Sequence, residues 1–393
     1  MKSASDPFIR FSYLGHSINE MYWFILPLVL PKILKEYGIS YLKAGGLLTV
    51  YLLIVSLFSF LIGKASDSLP RWKILTTGFF LTFGGFFMAG TAPGMIPLTL
   101  FLCAGAVGVS AFHPIAYALL DEHTSNRKGS VFGNFECWGM AGVFIMFALN
   151  GILLTLLSWR SVLLITAFPS LLMGLLAVTT KAPDSKGRTG QKDSALPESS
   201  PSLLLLSLFF VSVVLRIISI LGILNFMPTY LMKGLGVEEH LAAFSAGIYF
   251  LGAIIGARIG GKRGDAVGHI RVLLTATLVM APVIYLLGIL KVWWTAPVLL
   301  LILGISSSSV APNQNYILSR LSAGMGRGAT FGTLVGILTM TNALSPLLFG
   351  AGADIFGLAR TIRFFSVPMA FSFLVFALIG GTNKFKKALD TGS

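Results

Sequence analysis

The sequence predicts an all-α membrane protein whose twelve transmembrane helices form two pseudo-symmetric six-helix bundles. Of its 393 residues, 55% are hydrophobic and only 11% are charged, whereas a soluble domain carries about 25% charged residues. The mean hydropathy of the chain is +0.84. Its apolar segments reach the ~20 residues that a spanning helix needs, and they lack the alternation typical of a transmembrane barrel. With a barrel excluded, α-helices are the spanning structure that fits, because backbone groups in a bilayer must be hydrogen-bonded inside the protein.

Two segments roughly 200 residues apart share one pattern, which indicates an internal duplication. Gly63 and Asp67 match Gly261 and Asp265, each at an offset of 198 residues. Further matched pairs keep this register to within one residue: Pro31 with Pro228, Gly38 with Gly236, Tyr51 with Tyr249, Lys73 with Arg271, Pro114 with Pro312 and Pro169 with Pro368. Two halves of six spans each begin on the same side of the membrane, so they are parallel repeats, as in many secondary transporters.

Short polar, glycine-containing or basic segments separate the predicted helices. The helices span residues 9–35, 41–65, 73–92, 95–120, 129–155, 159–179, 203–232, 240–261, 270–290, 293–320, 327–353 and 360–382. Residues 181–202 are polar and lack apolar periodicity, so they are predicted to form a flexible cytoplasmic linker. The predicted domains are therefore an N-terminal bundle at 1–180 and a C-terminal bundle with a short cytoplasmic tail at 203–393.

The net charge of +14 orients the chain in the membrane and requires no nucleic-acid partner. Basic residues are frequent in the loops predicted on one side, as at 71–73, 127–128 and 262–263, and are fewer on the other, where Lys291 lies. The positive-inside rule then places both termini and the linker in the cytoplasm. We expect a monomer in a bacterial or archaeal inner membrane.

Several classes of activity lack their sequence signals. Cys103 and Cys137 lie inside apolar segments and indicate neither a metal site nor a disulfide. The chain has no phosphate-binding Gly-x-x-x-x-Gly-Lys-Ser/Thr segment, no metal-spaced His/Cys cluster and no nucleophile–base pair. We therefore expect no cofactor, no metal and no enzymatic activity. A non-transporting membrane receptor or an enzyme is kept as the alternative from another class.

The duplicated segment joins two predicted helices and carries a loop motif. Gly63 permits close packing, Asp67 can accept hydrogen bonds from the start of a neighbouring helix, and the cations that follow, among them Arg71, can bridge to the opposite half. The motif recurs at Gly261, Asp265 and Arg271. The two loops, the twelve predicted spans and the repeat together resemble the major facilitator superfamily over nearly the whole chain. The resemblance implies the major facilitator fold.

A narrower resemblance is to the fosmidomycin-resistance-type transporters of that superfamily. It rests on the segments His16-Ser17-Ile18-Asn19-Glu20-Met21, Ser110-Ala111-Phe112-His113-Pro114 and Asp67-Ser68-Leu69-Pro70 before Trp72. The sequence departs from that family where Ile115 replaces an acid and where residues 139–144 lack the Gly-Pro pair of drug antiporters. The resemblance implies proton-linked export of small drugs.

The first predicted helix carries a polar face at membrane depth. His16, Asn19 and Glu20 are spaced i, i+3 and i+4, and Trp23 continues the same face. An ionisable residue inside a membrane usually faces a cavity or a partner. Glu20 is therefore either the carrier of a coupled proton or half of a structural salt bridge, and His16 is either a proton relay or a hydrogen-bonded structural residue.

Arg216 is the counterpart of Asn19 through the register of Pro31 and Pro228, so we expect it opposite the polar face of the first helix. A guanidinium in a cavity favours an anionic solute group or an acidic partner, here Glu20 or Glu136. His113 and the polar run at 312–316 extend the predicted solute site. Its members are Asn19, Trp23, His113, Arg216, Asn313, Gln314, Asn315 and Tyr316.

Glu136 and Arg258 lie near the predicted cytoplasmic helix ends, where ion pairs can act as gates. The predicted gate and loop residues are Gly63, Asp67, Arg71, Glu136, Arg258, Gly261, Asp265 and Arg271.

The sequence thus favours a proton-coupled secondary transporter of a small anionic or amphiphilic solute that works by alternating access, with export as antiport preferred. Import of a small organic anion such as a monocarboxylate is the alternative within the same fold. Solute, protons and the lipid bilayer are the expected partners.

Cysteine-accessibility labelling tests the predicted orientation. Ser194→Cys in the linker should react only with reagent on the cytoplasmic side, and Lys291→Cys only with reagent on the outer side. The parent chain, with Cys103 and Cys137, gives the background signal. Labelling from the opposite sides would contradict the topology.

Overall fold

The computed structural model describes residues 7–66, 68–124, 128–180, 203–321 and 327–382. Within these ranges the chain forms thirteen α-helices, one π-helical turn and one 3-10 turn. The helices are α1 (Pro7–Tyr37), α2 (Tyr41–Ala65), α3 (Arg71–Gly90), α4 (Met95–Ser110), α5 (Phe112–His123), α6 (Lys128–Leu156), α7 (Trp159–Thr179), α8 (Leu203–Thr229), α9 (Glu239–Val267), α10 (His269–Leu287), α11 (Ala296–Leu321), α12 (Arg327–Phe356) and α13 (Leu358–Gly381). The π-helical turn is Tyr230–Gly234 and the 3-10 turn is Trp293–Thr295.

The thirteen helices correspond to the twelve predicted spans, because α4 and α5 form one span that is interrupted at Ala111. The Ala111 N–H bonds to the Gly108 carbonyl oxygen at 3.1 Å, a tighter turn than that of an α-helix. Pro114 sits in the first turn of α5, where its missing N–H breaks no helical bond. The interruption gives the segment around His113 its own helix start inside the span.

Ten helices in the described part of the chain are long and apolar enough to cross a membrane. The helices α1 and α12 are not among them, although each exceeds the length required. The helix α1 carries the polar residues His16, Asn19 and Glu20, as expected of a helix that holds polar side chains inside a bundle.

The predicted loop around Gly261 and Asp265 is wrong. The helix α9 continues through both residues to Val267, and only Gly268 separates it from α10. Gly268 has a φ of 96°, a left-handed conformation that favours glycine and ends the helix. In the first repeat α2 ends at Ala65 and its C-cap is Ser66. Asp67 lies outside the described residues.

Close helix contacts depend on glycines that the loop motif does not include. A Cβ atom on Gly85 of α3 would overlap the backbone nitrogen of Gly105 on α4, and one on Gly142 of α6 would overlap the Ser17 carbonyl oxygen of α1. At Gly63 a Cβ atom would meet the nearest atom, the Pro114 Cβ, at 3.5 Å, which is an ordinary contact. The predicted close packing at Gly63 is therefore not observed.

The chain divides into two compact units. The first comprises Met1–Gly190 together with Met227–Gly247, and the second comprises Gln191–Phe226 and Ile248–Ser393. The later segment joins the first unit through specific contacts, since Lys32 on α1 forms an ion pair with Glu239 at the start of α9. The linker at 181–202 lies outside the described residues, so the predicted domain limits stay a prediction.

Gly85→Ala should destabilise the first unit, because the added methyl group has no space between α3 and α4. Overpacking of this kind costs about 1–3 kcal/mol, and the melting temperature of the detergent-solubilised protein should fall. Gly84→Ala is the matched control, since a Cβ atom on Gly84 meets nothing within 4 Å. Equal melting temperatures for the two variants would contradict the proposed contact.

Candidate functional site

The packing of α1 against α6 places His16. A Cβ atom on Gly139 would lie 2.6 Å from the His16 Cε1, so the glycine leaves the space that the imidazole ring fills. The ring stacks on Phe135 with centroids 3.8 Å apart, and its Nδ1 lies 2.7 Å from the Phe135 carbonyl oxygen. His16 is 1% exposed. These contacts fix the ring so that its Nε2 faces Glu20.

Glu20 joins two histidines through a single carboxylate oxygen. Its Oε1 lies 3.3 Å from the His16 Nε2 and 2.9 Å from the His113 Nε2. His113 reaches this point from α5, directly after the interruption at Ala111. Glu20 is 8% exposed, so the two rings replace solvent around its carboxyl group. We call His16, Asn19, Glu20 and His113 the Glu20 cluster.

Hydrogen-bond partners assign the protons of both rings. The Phe135 carbonyl oxygen can only accept, so the His16 Nδ1 carries a proton. Asn19 Nδ2 donates to the His113 Nδ1 over 3.5 Å, so the His113 proton is on Nε2 and points at Glu20. The remaining contact, between His16 Nε2 and Glu20 Oε1, requires one further proton, held by either group. The hydrogen-bonded form of the cluster therefore contains one proton more than an ionised carboxylate beside two neutral histidines.

The same geometry brings together three groups that are able to ligate a metal. One ligand atom from each of His16, Glu20 and His113 lies within 4.8 Å of the others. Metal ligation requires a lone pair on each facing nitrogen. The contact from Asn19 instead leaves the lone pair of His113 on Nδ1, away from Glu20. The hydrogen bonds therefore favour a proton site.

Trp23 extends the Glu20 cluster with an unused donor. Its indole ring meets the His113 ring edge-to-face, with centroids 5.8 Å apart. Among the described residues its Nε1 is buried and has no hydrogen-bond partner.

Glu136 of α6 is half-buried and accepts a hydrogen bond from the Tyr117 hydroxyl group of α5. Tyr117 is a partner that the sequence analysis did not identify.

Arg216 has its partner inside the second unit. It is 8% exposed, and its Nη2 donates to the Gln314 Oε1 at 2.6 Å. Its Nε is buried and has no partner among the described residues. Within the second unit this partner is an amide, which carries no charge to neutralise the guanidinium. The pairing of Arg216 with Glu20 or Glu136 stays a prediction.

The polar run at 312–316 does not form one site. Successive residues of an α-helix are about 100° apart around its axis. The four polar side chains of the run, those of residues 313–316, therefore point in different directions. Asn313 Nδ2 donates to the carbonyl oxygens of Gly260 (2.9 Å) and Ser309 (2.8 Å), and its Oδ1 lies 2.8 Å from the His269 Nδ1.

The remaining members of this run also separate. Asn315 is exposed, and Tyr316 stacks on His269 with centroids 3.7 Å apart. Gln314 contacts Arg216, whereas the contacts described for Asn313 and Tyr316 are with other residues and indicate structural roles. His269 was missed because a single histidine beside Gly268 carries no periodic signal.

The loop-motif residues also differ between the repeats. Arg71 is buried, donates from Nε to the Ser66 carbonyl oxygen at 3.3 Å and forms an ion pair with Glu122. In the second unit Arg258 and Arg271 are exposed, as is Asp265, whose Oδ1 lies 3.8 Å from the His269 Nε2. Gly261 is half-buried, and a Cβ atom there would lie 3.9 Å from its nearest neighbour, the Pro312 Cβ. The gate roles of Glu136 and Arg258 stay predictions.

Comparison with known proteins shows which family has a sequence similar to that of this chain. The family model of the Major Facilitator Superfamily matches residues 12–236 and 208–392. An uncharacterized MFS-type transporter, YceJ of Bacillus subtilis, is 25% identical over 366 residues, which cover 86% of this chain and 91% of YceJ. The fosmidomycin resistance protein of Escherichia coli is 21% identical over 348 residues, covering 87% of this chain and 85% of that protein. The multidrug resistance protein MdtG of Proteus mirabilis is 30% identical over 181 residues, or 43% of this chain and 44% of MdtG.

Solved structures share the fold. A bacterial homologue of the human lysosomal transporter Spinster, crystallised in an inward-facing and occupied conformation, superposes with a TM-score of 0.84 at 15% identity and covers 99% of both chains. A mutant of the nucleoside transporter NupG superposes with a TM-score of 0.75 at 13% identity, covering 94% of this chain and 99% of NupG. At these identities the similarity concerns the fold alone.

Proposed function

This chain belongs to the Major Facilitator Superfamily, and we propose that it is a proton-coupled secondary transporter in which Glu20 carries the coupled proton. It is an integral membrane transporter of small-molecule solutes. The observation that supports proton coupling is the contact of the buried Glu20 with His16 and His113 at 3.3 and 2.9 Å. This arrangement holds one proton in a network whose other hydrogen bonds are satisfied by Asn19 and a backbone carbonyl group.

Loss of that proton changes the cluster in a defined way. The His16 Nε2 and the Glu20 Oε1 would then face each other with lone pairs, and the buried carboxylate would keep only the hydrogen bond from His113. A buried charge with one partner is unfavourable, so release of the proton favours rearrangement of α1, α5 and α6 around the site. Among the described residues, the titratable groups in contact with the Glu20 carboxylate are His16 and His113. Proton release is thereby coupled to helix position.

The solute is proposed to be anionic, because Trp23 Nε1 and Arg216 Nε, from two members of the predicted solute site, are buried N–H donors without partners among the described residues. Arg216 adds a positive charge that Gln314 does not neutralise. The donors suit an anion for import or export alike. Export is preferred because the Escherichia coli and Proteus mirabilis relatives are named for drug resistance. We retain the inner membrane, cytoplasmic termini and a monomeric state as parts of the proposal.

Glu20→Gln should abolish proton-driven solute accumulation, because a glutamine cannot bind and release the proton. A thermal-stabilisation screen that begins with fosmidomycin and monocarboxylates identifies a solute, and uptake into liposomes with an imposed pH gradient then measures coupling. Solute binding should survive the change. Asp121→Asn removes an exposed carboxylate of α5 and should transport normally. Uphill transport by Glu20→Gln at the wild-type rate would disprove the role of Glu20.

Arg216→Lys should weaken binding of an anionic solute by roughly 10- to 100-fold, the equivalent of losing a charged hydrogen bond of about 1.5–3 kcal/mol. An ammonium group is a point charge and cannot reproduce the planar donors of a guanidinium. Calorimetric titration of the solute measures the effect. Arg360→Lys, the same substitution at an exposed position of α13, is the matched control. Unchanged affinity in Arg216→Lys would exclude Arg216 as the solute anchor.

A further inference from the structure

Each unit carries an open groove on its surface, and the two grooves occupy equivalent positions of the repeat. The groove of the first unit has a volume of ≈ 370 Å³ and that of the second ≈ 400 Å³. Their linings correspond at the offset of 198: Lys73 with Arg271, Thr77 with Thr275, Gly78 with Ala276, Leu81 with Val279 and Ala111 with Ser309. The duplication has therefore kept a surface feature that the transport cycle proposed above does not use.

Both grooves combine an apolar wall with a basic mouth. In the first unit Lys73, Thr77 and Leu81 are exposed at i, i+4 and i+8 along α3 and so form one stripe. The stripe extends about 12 Å from the cation, at 1.5 Å per residue. In the second unit Arg271, Thr275 and Val279 form the same stripe along α10. Small buried residues at the helix crossing, such as Gly78 and Ala111, line the base of this groove.

The basic residues at the mouths are available for an external anion. Lys73, Arg263 and Arg271 are exposed, and none of them forms an ion pair within the described part of the chain. Arg263 has no counterpart in the first unit, where Ala65 occupies the equivalent position. The mouth of the second groove therefore carries two cations and that of the first carries one.

We propose that each groove binds one anionic phospholipid, with an acyl chain along the apolar wall and the phosphate group on the basic mouth. The helices that line both grooves are long and apolar enough to cross a membrane, so lipid is the molecule expected at these surfaces. An acyl chain gains little on leaving bulk lipid for a protein groove, because lipid tails are as apolar as the groove wall. The charge of the head group therefore decides which lipid is held, and basic pockets between transmembrane helices suit anionic head groups.

The position of the cations supports the proposal. Lys73 lies in the first turn of α3 and Arg271 in the first turn of α10. Phosphate oxygens at either point would meet both the side-chain cation and the positive end of the helix dipole. Because the second groove has Arg263 in addition, it should bind the anionic lipid more tightly and with a stronger dependence on salt.

Melting temperatures of the detergent-solubilised full chain test the proposal with three additives. Phosphatidylglycerol should raise the melting temperature, whereas phosphatidylcholine and glycerol phosphate should not, because the first lacks net charge and the second lacks acyl chains. Lys73→Gln should reduce the shift, Arg263→Gln with Arg271→Gln should reduce it further, and the triple variant should lose it. Lys262→Gln, an exposed cation that does not line the groove, is the matched control and should keep the full shift.

Native mass spectrometry supplies a second readout that does not depend on stability. The wild type should retain two phosphatidylglycerol molecules, Lys73→Gln one, and the triple variant none. The proposal is overturned if the triple variant keeps the wild-type shift or the wild-type lipid count. It is also overturned if phosphatidylglycerol has no effect on the wild type, if glycerol phosphate alone gives the same shift, or if phosphatidylcholine is as effective as phosphatidylglycerol.

Discussion

The requirement that a buried charge find its partners inside the protein governs the arrangement of the first unit. Glu20 lies in a membrane-spanning helix and is only 8% exposed, so little water can solvate it. His16 from the same helix and His113 from α5 supply the donors that water would otherwise provide. The interruption between α4 and α5 and the glycine contacts of α6 both place a histidine beside this one carboxyl group. The site and the packing are thus parts of one arrangement.

Two glycines of α6 allow this helix to pack closely enough against α1 to form the Glu20 cluster. Gly139 leaves room for the His16 ring, and Gly142 brings the α6 backbone against that of α1 at Ser17. Because the two glycines are three residues apart, they lie on one face of α6. Helices in a bilayer are not driven together by the hydrophobic effect, because lipid tails are as apolar as their side chains. Their association depends on close packing, which small residues on one helix face permit. The close packing of α1 and α6 therefore holds the Glu20 cluster in place together with its hydrogen bonds.

The duplication preserves architecture while the chemistry of the halves has diverged. The first unit holds an acid with two histidines, and the second holds an arginine with a glutamine. The linings of the two surface grooves differ less than these buried groups do, since a cation, a threonine and an aliphatic residue recur in both. A transporter needs different groups for protons and solute, whereas both units meet the same bilayer. That difference accounts for divergence inside the units and for conservation at their surfaces.

The sequence by itself determined the membrane class, the repeat, the helical spans and the polar face of α1, because apolar length and helical spacing are local properties. It placed α2 and α7 at the ends observed, Tyr41–Ala65 and Trp159–Thr179. Only the tertiary structure decided which residues became partners. Glu20 and His113 are far apart in the chain, and their contact depends on how α5 is turned after Ala111. Its residue type makes Asn313 a candidate solute ligand, but its amide donates to the carbonyl oxygens of Gly260 and Ser309. Helical periodicity gives the direction of a side chain on its own helix, but the partner it meets depends on the rotation and crossing of a second helix, which local sequence does not encode.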